Sequence, residues 1–277
     1  MTKDLAVAIQ GEAGSFSHAA AREALGPDVQ LVPCPTFEEL FRAVEAGQAT
    51  RGVVPIENSL AGSVYEAYDA LGAHALHVVG ETQVRVRHCL VVRPGTALAA
   101  LRRVASHPVA LAQCRHFFAD HSGLAPVPAY DTAGSVRDLL AGRLEADAAI
   151  GSALAARLYG GEILLEGIED HPENYTRFLL VAREPGPPGG ASKTSLVFSL
   201  PNVPGSLHRA MGVFAARGLD LTKIESRPLL GRPWEYAFYL DVLGDPRGGV
   251  AEALAELAGM ARDLRVLGTY PARALPS

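Results

Sequence analysis

Apolar runs of strand length alternate with stretches of helical spacing through the first two thirds of the chain, and each run stops at a knot of small polar residues. Leu5-Ala6-Val7-Ala8-Ile9 predicts a buried strand, and the turn from Gly11 to Ser17 leads into a helix over about 17–25. A strand near 30–32 precedes a helix opened by Thr36 with Glu39, the spacing of a capping box, whose apolar face is Leu40, Phe41 and Val44. A buried strand from Arg51 then ends in Glu57-Asn58-Ser59, a cluster that a core does not want. Residues 77–92 form one long strand-rich passage that crosses into a second lobe. There the construction repeats: a strand at 104–105 reaches Ser106-His107-Pro108, with proline suited to a helix's first turn. The spacing predicts one helix beyond it, with Leu111, Cys114, Phe117 and Phe118 on one face and Gln113 in its second turn. Strands at 127–130 and 148–150 reach Asp131-Thr132-Ala133-Gly134 and Gly151-Ser152, each followed by a helix. Residues 163–165 return the chain toward the first lobe, where Asn174-Tyr175-Thr176-Arg177-Phe178 opens a last apolar strand.

The pattern changes after Glu184-Pro185-Gly186-Pro187-Pro188-Gly189-Gly190, which cannot continue a sheet and reads as a linker. Beyond it come a strand at 194–200, a helix opened by Pro204-Gly205-Ser206-Leu207 with Leu207, Met211 and Phe214 inward, and strands at 221–227 and 236–242. A helix at 249–262 and a strand at 264–269 complete βαββαβ, the ferredoxin-like order. The expected class is therefore α/β. Two doubly wound lobes, arranged like a periplasmic binding protein, span 1–183, with lobe 1 at about 1–76 plus 171–183 and lobe 2 at about 77–170. A linker at 184–193 and a ferredoxin-like domain at 194–277 follow. Such a domain has one helical face and one open sheet face, which pairing with a second copy would cover.

Composition narrows the function. At 277 residues, with 48% apolar and 20% charged, the chain is globular with ample core. A formal charge of −5 argues against a general nucleic-acid binder, though not against a small anion in a locally positive site. The N-terminus enters a strand without a signal-peptide core, and no apolar run reaches the length of a membrane span. Cys34, Cys89 and Cys114 are odd in number and lack CxxC spacing, which reads as free thiols in a reducing cytoplasm. The nine histidines give no HExxH or paired ligand spacing, so no metal is expected. Ligands of doubly wound sheets bind beyond the carboxyl ends of the strands. Here those ends carry Ser15, Ser17, Asn58, Ser59, Ser63, Ser106, Thr132 and Ser152, a set of neutral donors at helix starts that suits a carboxylate or phosphate.

Taken in order, Gly11 to Ser17, Val54-Pro55-Ile56-Glu57-Asn58-Ser59, Ser106-His107-Pro108 with Gln113-Cys114, and Asn174 to Phe178 resemble one family over essentially the whole chain. That family is the monofunctional prephenate dehydratases of phenylalanine biosynthesis. Pro204-Gly205-Ser206-Leu207, Glu225-Ser226-Arg227-Pro228 and Pro233-Trp234-Glu235-Tyr236 resemble the phenylalanine-binding motifs of an ACT regulatory domain. Ser206 stands where the family usually has alanine, as does Gly151. The resemblance implies that prephenate loses carbon dioxide and its ring hydroxyl to give phenylpyruvate, with no metal or organic cofactor. It makes Thr176 the donor to the hydroxyl and has Glu57, Asn58, Ser106 and Gln113 orient the substrate. Ser15, Ser17, Ser59, Thr132, Ser152, Arg177 and Phe178 are expected to bind it, Phe178 by shaping the ring pocket. It also implies feedback by L-phenylalanine held between two ACT domains of a homodimer or homotetramer, at Asn202, Gly205, Ser206, Leu207, Glu225, Ser226, Arg227 and Pro228. Two rivals are an arogenate dehydratase and a non-enzymatic two-lobed binding protein fused to an amino-acid sensor. The cluster at Glu57–Ser59 with Thr176 speaks against pure binding.

Overall fold

A computed structural model describes residues 5–186, 192–229 and 231–273; residues 187–191 of the expected linker lie outside the described residues. The chain divides into two compact units, Met1–Gly62 with Gln83–Phe178, and Ser63–Thr82 with Leu179–Ser277.

In the first unit the chain runs through β1 (Ala6–Gln10), α1 (Phe16–Leu25), β2 (Gln30–Cys34), α2 (Phe37–Glu45) and β3 (Arg51–Asn58). The two-residue β4 (Gly62–Ser63), α3 (Tyr65–Ala73) and β5 (His77–Arg85) come next in the chain, with Ser63–Thr82 belonging to the second unit. β1 pairs in parallel with β2 and β3. Val7, Ile9 and Val53 pack under Ala20 and Ala21 of α1, while α2 buries Leu40, Phe41 and Val44. Thr36 caps α2 as expected, its hydroxyl taking the Glu39 N–H at 3.2 Å.

The second lobe comprises β6 (Cys89–Val92), β7 (Arg103–Ser106), α4 (Pro108–Ala112), α5 (Arg115–Asp120), β8 (Ala125–Pro128), α6 (Thr132–Leu140), β9 (Ala148–Gly151), α7 (Ala153–Tyr159) and β10 (Glu162–Glu166). β11 (Tyr175–Ala182) then joins the first sheet, whose order is β2-β1-β3-β11-β5, while the second sheet runs β10-β6-β9-β7-β8. Strand alternation explains the double cover of the second sheet. Cys89, Val91 and Ala149 face α6 and α7, whereas Leu90, Val92, Ala148 and Ile150 face Cys114 and Phe117.

The single helix expected after Pro108 is two. Gln113 ends α4 and Cys114 begins α5, because Asp170 takes both sides of the break. Its N–H donates to the Gln113 carbonyl at 2.7 Å and its carboxylate accepts the His116 N–H at 2.8 Å. A helix's orphan groups are satisfied here from a distant loop.

The second unit holds β12 (Ser192–Ser199), α8 (Ser206–Ala215), β13 (Leu221–Pro228), β14 (Tyr236–Leu243), α9 (Gly249–Ala258) and β15 (Arg262–Pro271). Its antiparallel order β13-β14-β12-β15 is ferredoxin-like. Leu196, Phe198, Leu240 and Val242 pack beneath Val213 and Phe214 of α8 and Val250 and Leu257 of α9. α9 stops four residues short of the expected end, since Arg262 already pairs with Ser199.

The face expected to be open is closed. α3, which apolar spacing did not reveal, lies on it within the same unit. The Tyr68 and Tyr239 rings are 4.9 Å apart, and the Tyr239 hydroxyl donates to the Tyr68 carbonyl at 2.9 Å. Arg265 closes the C-terminal end of α3 by donating to the carbonyls of Leu71 at 2.8 Å and His74 at 2.9 Å. Asp69 accepts a two-pronged bond from Arg227 at 2.9 and 2.7 Å. Beyond α3, Lys193 and Glu81 form a buried ion pair at 2.8 Å. The approach is close enough that a Cβ on Gly268 would lie 1.9 Å from the Val78 carbonyl oxygen.

Candidate active site

The end of β3 lies against the start of β11. The Ser59 N–H donates to the Tyr175 carbonyl at 2.8 Å, and the Ser59 hydroxyl returns the link by accepting the Tyr175 N–H at 3.0 Å. Asn58 is fixed by its own turn: Oδ1 accepts the N–H groups of Leu60 at 3.0 Å and Ala61 at 2.8 Å. Its Nδ2 therefore faces the other way, donating to Asn174 Oδ1 at 2.7 Å and Thr176 Oγ1 at 2.9 Å, with the Tyr175 carbonyl at 3.1 Å. Thr176 thus accepts a bond through its oxygen, and its hydroxyl proton has no acceptor among the described residues. Glu57 is half-buried, one place earlier on β3.

Strand alternation puts Thr176 and Phe178 on one face and Arg177, half-buried, on the other. Phe178 lies deeper than a pocket wall. It is 1% exposed and packs with Val7, Ile9 and Val53, so its contribution is to the core and not to a ring pocket.

The second lobe meets this site through the crossing strand. The Val86 N–H donates to the Asn174 carbonyl at 2.7 Å. Two residues on, the buried His88 pairs Nε2 with Gln113 Oε1 at 2.9 Å and takes the edge of Phe16 at 5.7 Å between centroids. Asn58, Thr176 and Asn174 thus share one set of hydrogen bonds, and the His88–Gln113 pair is tied to it through the backbone at Val86. Several expected donors are already committed. The hydroxyls of Ser59, Ser106 and Ser152 donate to the carbonyls of Glu173, Ile150 and Gly14. Ser15 and Ser152 also cap α1 and α7. Ser17, buried, and Thr132, at the start of α6, have hydroxyls with no partner among the described residues.

The β1–α1 turn is gripped by the second lobe, an arrangement that sequence spacing missed. Glu12 meets Arg137 at 2.8 Å, and the Tyr130 hydroxyl accepts from Arg137 at 2.7 Å and donates to Glu12 at 3.3 Å. Burial, reinforced by Glu12, pushes the Tyr130 phenol up to about 12, and burial also raises Asp131. Around them is a cavity of about 460 Å³ whose lining includes Gln10, Glu12, Pro33, Tyr130 and Asp131. The Gly-rich turn was the visible signal; its charged partner on α6 was not. Gly14, at φ +89°, has no room for a side chain, because a Cβ would sit 2.7 Å from Ala155 Cα. Gly14→Ala is therefore expected to force the lobes apart here, lowering kcat/KM about tenfold or more and costing ~1–3 kcal/mol of stability. Steady-state kinetics and thermal melting check this, and wild-type values in both would show that the contact does not form.

The other expected residues lie in the second unit. Asn202, Gly205, Ser206 and Leu207 stand at the start of α8, where Gly205 is the N-cap at φ +78° and no side chain caps the helix. Glu225 and Arg227 face the chain around α3. Glu225 accepts from Ser63, and Arg227 binds Asp69 and stacks over the Tyr65 ring at 4.6 Å. Ser226 and Pro228 are exposed. Among the described residues no group of three His, Cys, Asp or Glu could hold a metal ion, and no helix is long and apolar enough to cross a membrane. All three cysteines are free and buried, and burial raises their thiols, Cys89 to about 11.

The chain is similar to known proteins over nearly its whole length. A family model described as prephenate dehydratase matches residues 7–186, and one described as ACT domain matches 194–258. Among curated relatives, arogenate dehydratase/prephenate dehydratase 2, chloroplastic, of Arabidopsis thaliana is 45% identical, covering 96% of this chain and 72% of its own length. A bifunctional N-acyl-homoserine lactone acylase/prephenate dehydratase of Komagataeibacter europaeus is 40% identical over 98% of each chain. The solved structure of prephenate dehydratase in complex with L-Phe from Arthrobacter aurescens is 36% identical with a TM-score of 0.89, covering 96% of this chain and 90% of that one.

Proposed function

The chain belongs to the prephenate dehydratase family and carries an ACT domain, and on that premise we propose that it takes prephenate itself and releases phenylpyruvate. The reaction consumes one proton: prephenate dianion and a proton give phenylpyruvate anion, carbon dioxide and water. Electrons of the breaking carbon–carboxylate bond enter the ring as the carbon–oxygen bond across it breaks, and aromatisation drives the step. The observation that carries this reading is the Thr176 hydroxyl, which accepts from Asn58 at 2.9 Å and has its proton left to give. Accepting that bond polarises the hydroxyl as a donor, and the departing ring hydroxyl is the group that needs one. The Gln113 amide and Thr132 hydroxyl hold the substrate's carboxylates as neutral donors. A cation at the departing carboxylate would stabilise the ground state more than the transition state. The test is ultraviolet detection of phenylpyruvate from prephenate and, separately, of phenylalanine from arogenate. Turnover of arogenate alone overturns the substrate, and binding of prephenate without consumption overturns the reaction.

L-Phenylalanine is the proposed effector, a reading supported by the ACT match and the relative in complex with L-Phe. Its carboxylate is assigned to the first turn of α8, on Gly205–Leu207 with Asn202 beside it, where no side chain caps the helix and the helix start favours an anion, although the Ser206 N–H already donates to the Val203 carbonyl at 3.2 Å. Copies pair through their ACT domains, as a homodimer or homotetramer, along the edge strand β13 with its exposed Ile224, since the sheet face is already covered. Unpaired cysteines support a cytoplasmic setting. Gly205→Val is expected to raise the phenylalanine concentration needed for inhibition about tenfold or more, a loss of ~1.4 kcal/mol in binding. The left-handed φ of +78° is strained for valine. Unchanged inhibition in that variant would put the effector elsewhere.

A further inference from the structure

We propose that His88 is the positioning residue of the site: it fixes the Gln113 amide so that the NH2 group, and not the carbonyl, is presented to substrate. This rests on the reading of Gln113 as a substrate contact. His88 stands at the entry to β6 and is 2% exposed. Nε2 meets Gln113 Oε1 at 2.9 Å, while Nδ1 is buried without a hydrogen-bond partner. An amide oxygen can only accept, so the imidazole proton lies on Nε2 and Nδ1 is a bare acceptor. The opposite assignment would turn the Gln113 NH2 inward and bury an N–H of His88 with no acceptor, and orphaned buried N–H groups are the rarer kind. Burial holds the imidazole neutral, against opposing pulls from Gln113 and from Glu169, the charged group that faces it.

The surroundings hold both partners in place. Glu169 accepts the His88 main-chain N–H at 2.8 Å, and the next residue, Asp170, donates its N–H to the Gln113 carbonyl at 2.7 Å. One loop thus clamps the backbone of each, and Gln113 keeps helical backbone angles at the end of α4 while the chain leaves the helical path at Cys114. Gln113 Nε2 has no partner among the described residues, which leaves a neutral, two-proton donor with its direction set. A neutral donor suits an anionic substrate that must lose one carboxylate.

Five variants test this in the full-length chain, with prephenate as substrate and melting as the control for folding. His88→Leu removes the donor, and His88→Asn leaves an amide too short to reach Gln113. Each should lower kcat/KM by ~10–10²-fold at an unchanged melting temperature. His88→Gln restores a donor at about the Nε2 position and should recover most of the activity, a rescue that a merely structural role would not give. Adding His88→Leu to Gln113→Ala should cost nothing further, because His88 acts through Gln113. The proposal is overturned if His88→Leu stays within about threefold of wild type, or if its loss adds in full to that of Gln113→Ala. Should the leucine variant fail to fold, equal activities of the Asn and Gln variants overturn it. Full activity in Gln113→Ala sinks the Gln113 reading and the proposal with it, whereas an impaired Gln113→Ala beside an unimpaired His88→Leu sinks the proposal alone.

Discussion

Thr176→Val is expected to lose at least ~10²-fold in kcat with KM almost unchanged. Valine keeps the β-branched shape, so β11 should hold it at a site only 9% exposed. What disappears is the proton that no described residue accepts. A threonine hydroxyl is too weak an acid to ionise at neutral pH, yet its hydrogen bond strengthens as charge builds on the leaving oxygen. Such an interaction acts in the transition state and therefore shows in kcat. Asn58 will lose an acceptor in this variant but keeps Asn174 Oδ1 at 2.7 Å, which limits the structural cost. Thr176→Ser retains the donor with a freer rotamer and should fall between valine and wild type. Turnover of the valine variant within about tenfold of wild type, under ~1.4 kcal/mol of barrier, would show that Thr176 is not the donor.

Asn58→Asp should be comparably damaging, by ~10²–10³-fold in kcat, although the chain folds normally. One carboxylate oxygen still accepts the N–H groups of Leu60 and Ala61, so the turn after β3 is kept. The other oxygen replaces a donor with an acceptor opposite Thr176. The threonine proton then turns toward that oxygen and is withdrawn from the substrate. Asn174 can follow by rotating its amide, since its Nδ2 is buried without a partner. The added charge also repels a dianion, so KM should rise, unlike in Thr176→Val. Stopped-flow or steady-state assays of both variants, with matched melting curves, separate the two cases. Activity of the Asn58→Asp enzyme within tenfold of wild type would mean that the direction of the Asn58–Thr176 bond is immaterial.

Local order was legible in the sequence because its causes are local. Thr36 with Glu39, Asp131 before α6 and Ser152 before α7 mark helix starts by side-chain chemistry within three residues. Features fixed by distant partners were not. The α4–α5 break depends on Asp170, and the grip on the β1–α1 turn on Arg137, neither of which periodicity can report. α3 is the clearest case: Tyr68 and Leu71 find their cover on residues after 190 in the chain. In the site, the motif from Asn174 to Phe178 is contiguous in the sequence, but alternation alone does not say how deep each residue lies. Thr176 sits at the mouth of the strand, and Phe178, on the same face, is already core. Asn174 starts a motif visible in the sequence; its contact with Asn58 depends on a pairing between strands that spacing does not encode.

The cover that α3 provides makes the regulatory part discontinuous in the gene. A recombinant that joined residues 1–186 to the ACT domain of another chain would leave Asp69, Tyr68 and the last carbonyls of α3 facing foreign residues where Arg227, Tyr239 and Arg265 now stand. Gly268 imposes the same demand from the other side, since only glycine admits the Val78 carbonyl. A workable exchange of feedback properties must therefore carry two segments at once, 63–82 together with the C-terminal domain. A crossover placed in the proline- and glycine-rich stretch after Glu184, where shuffling is easiest to attempt, moves only half of the device.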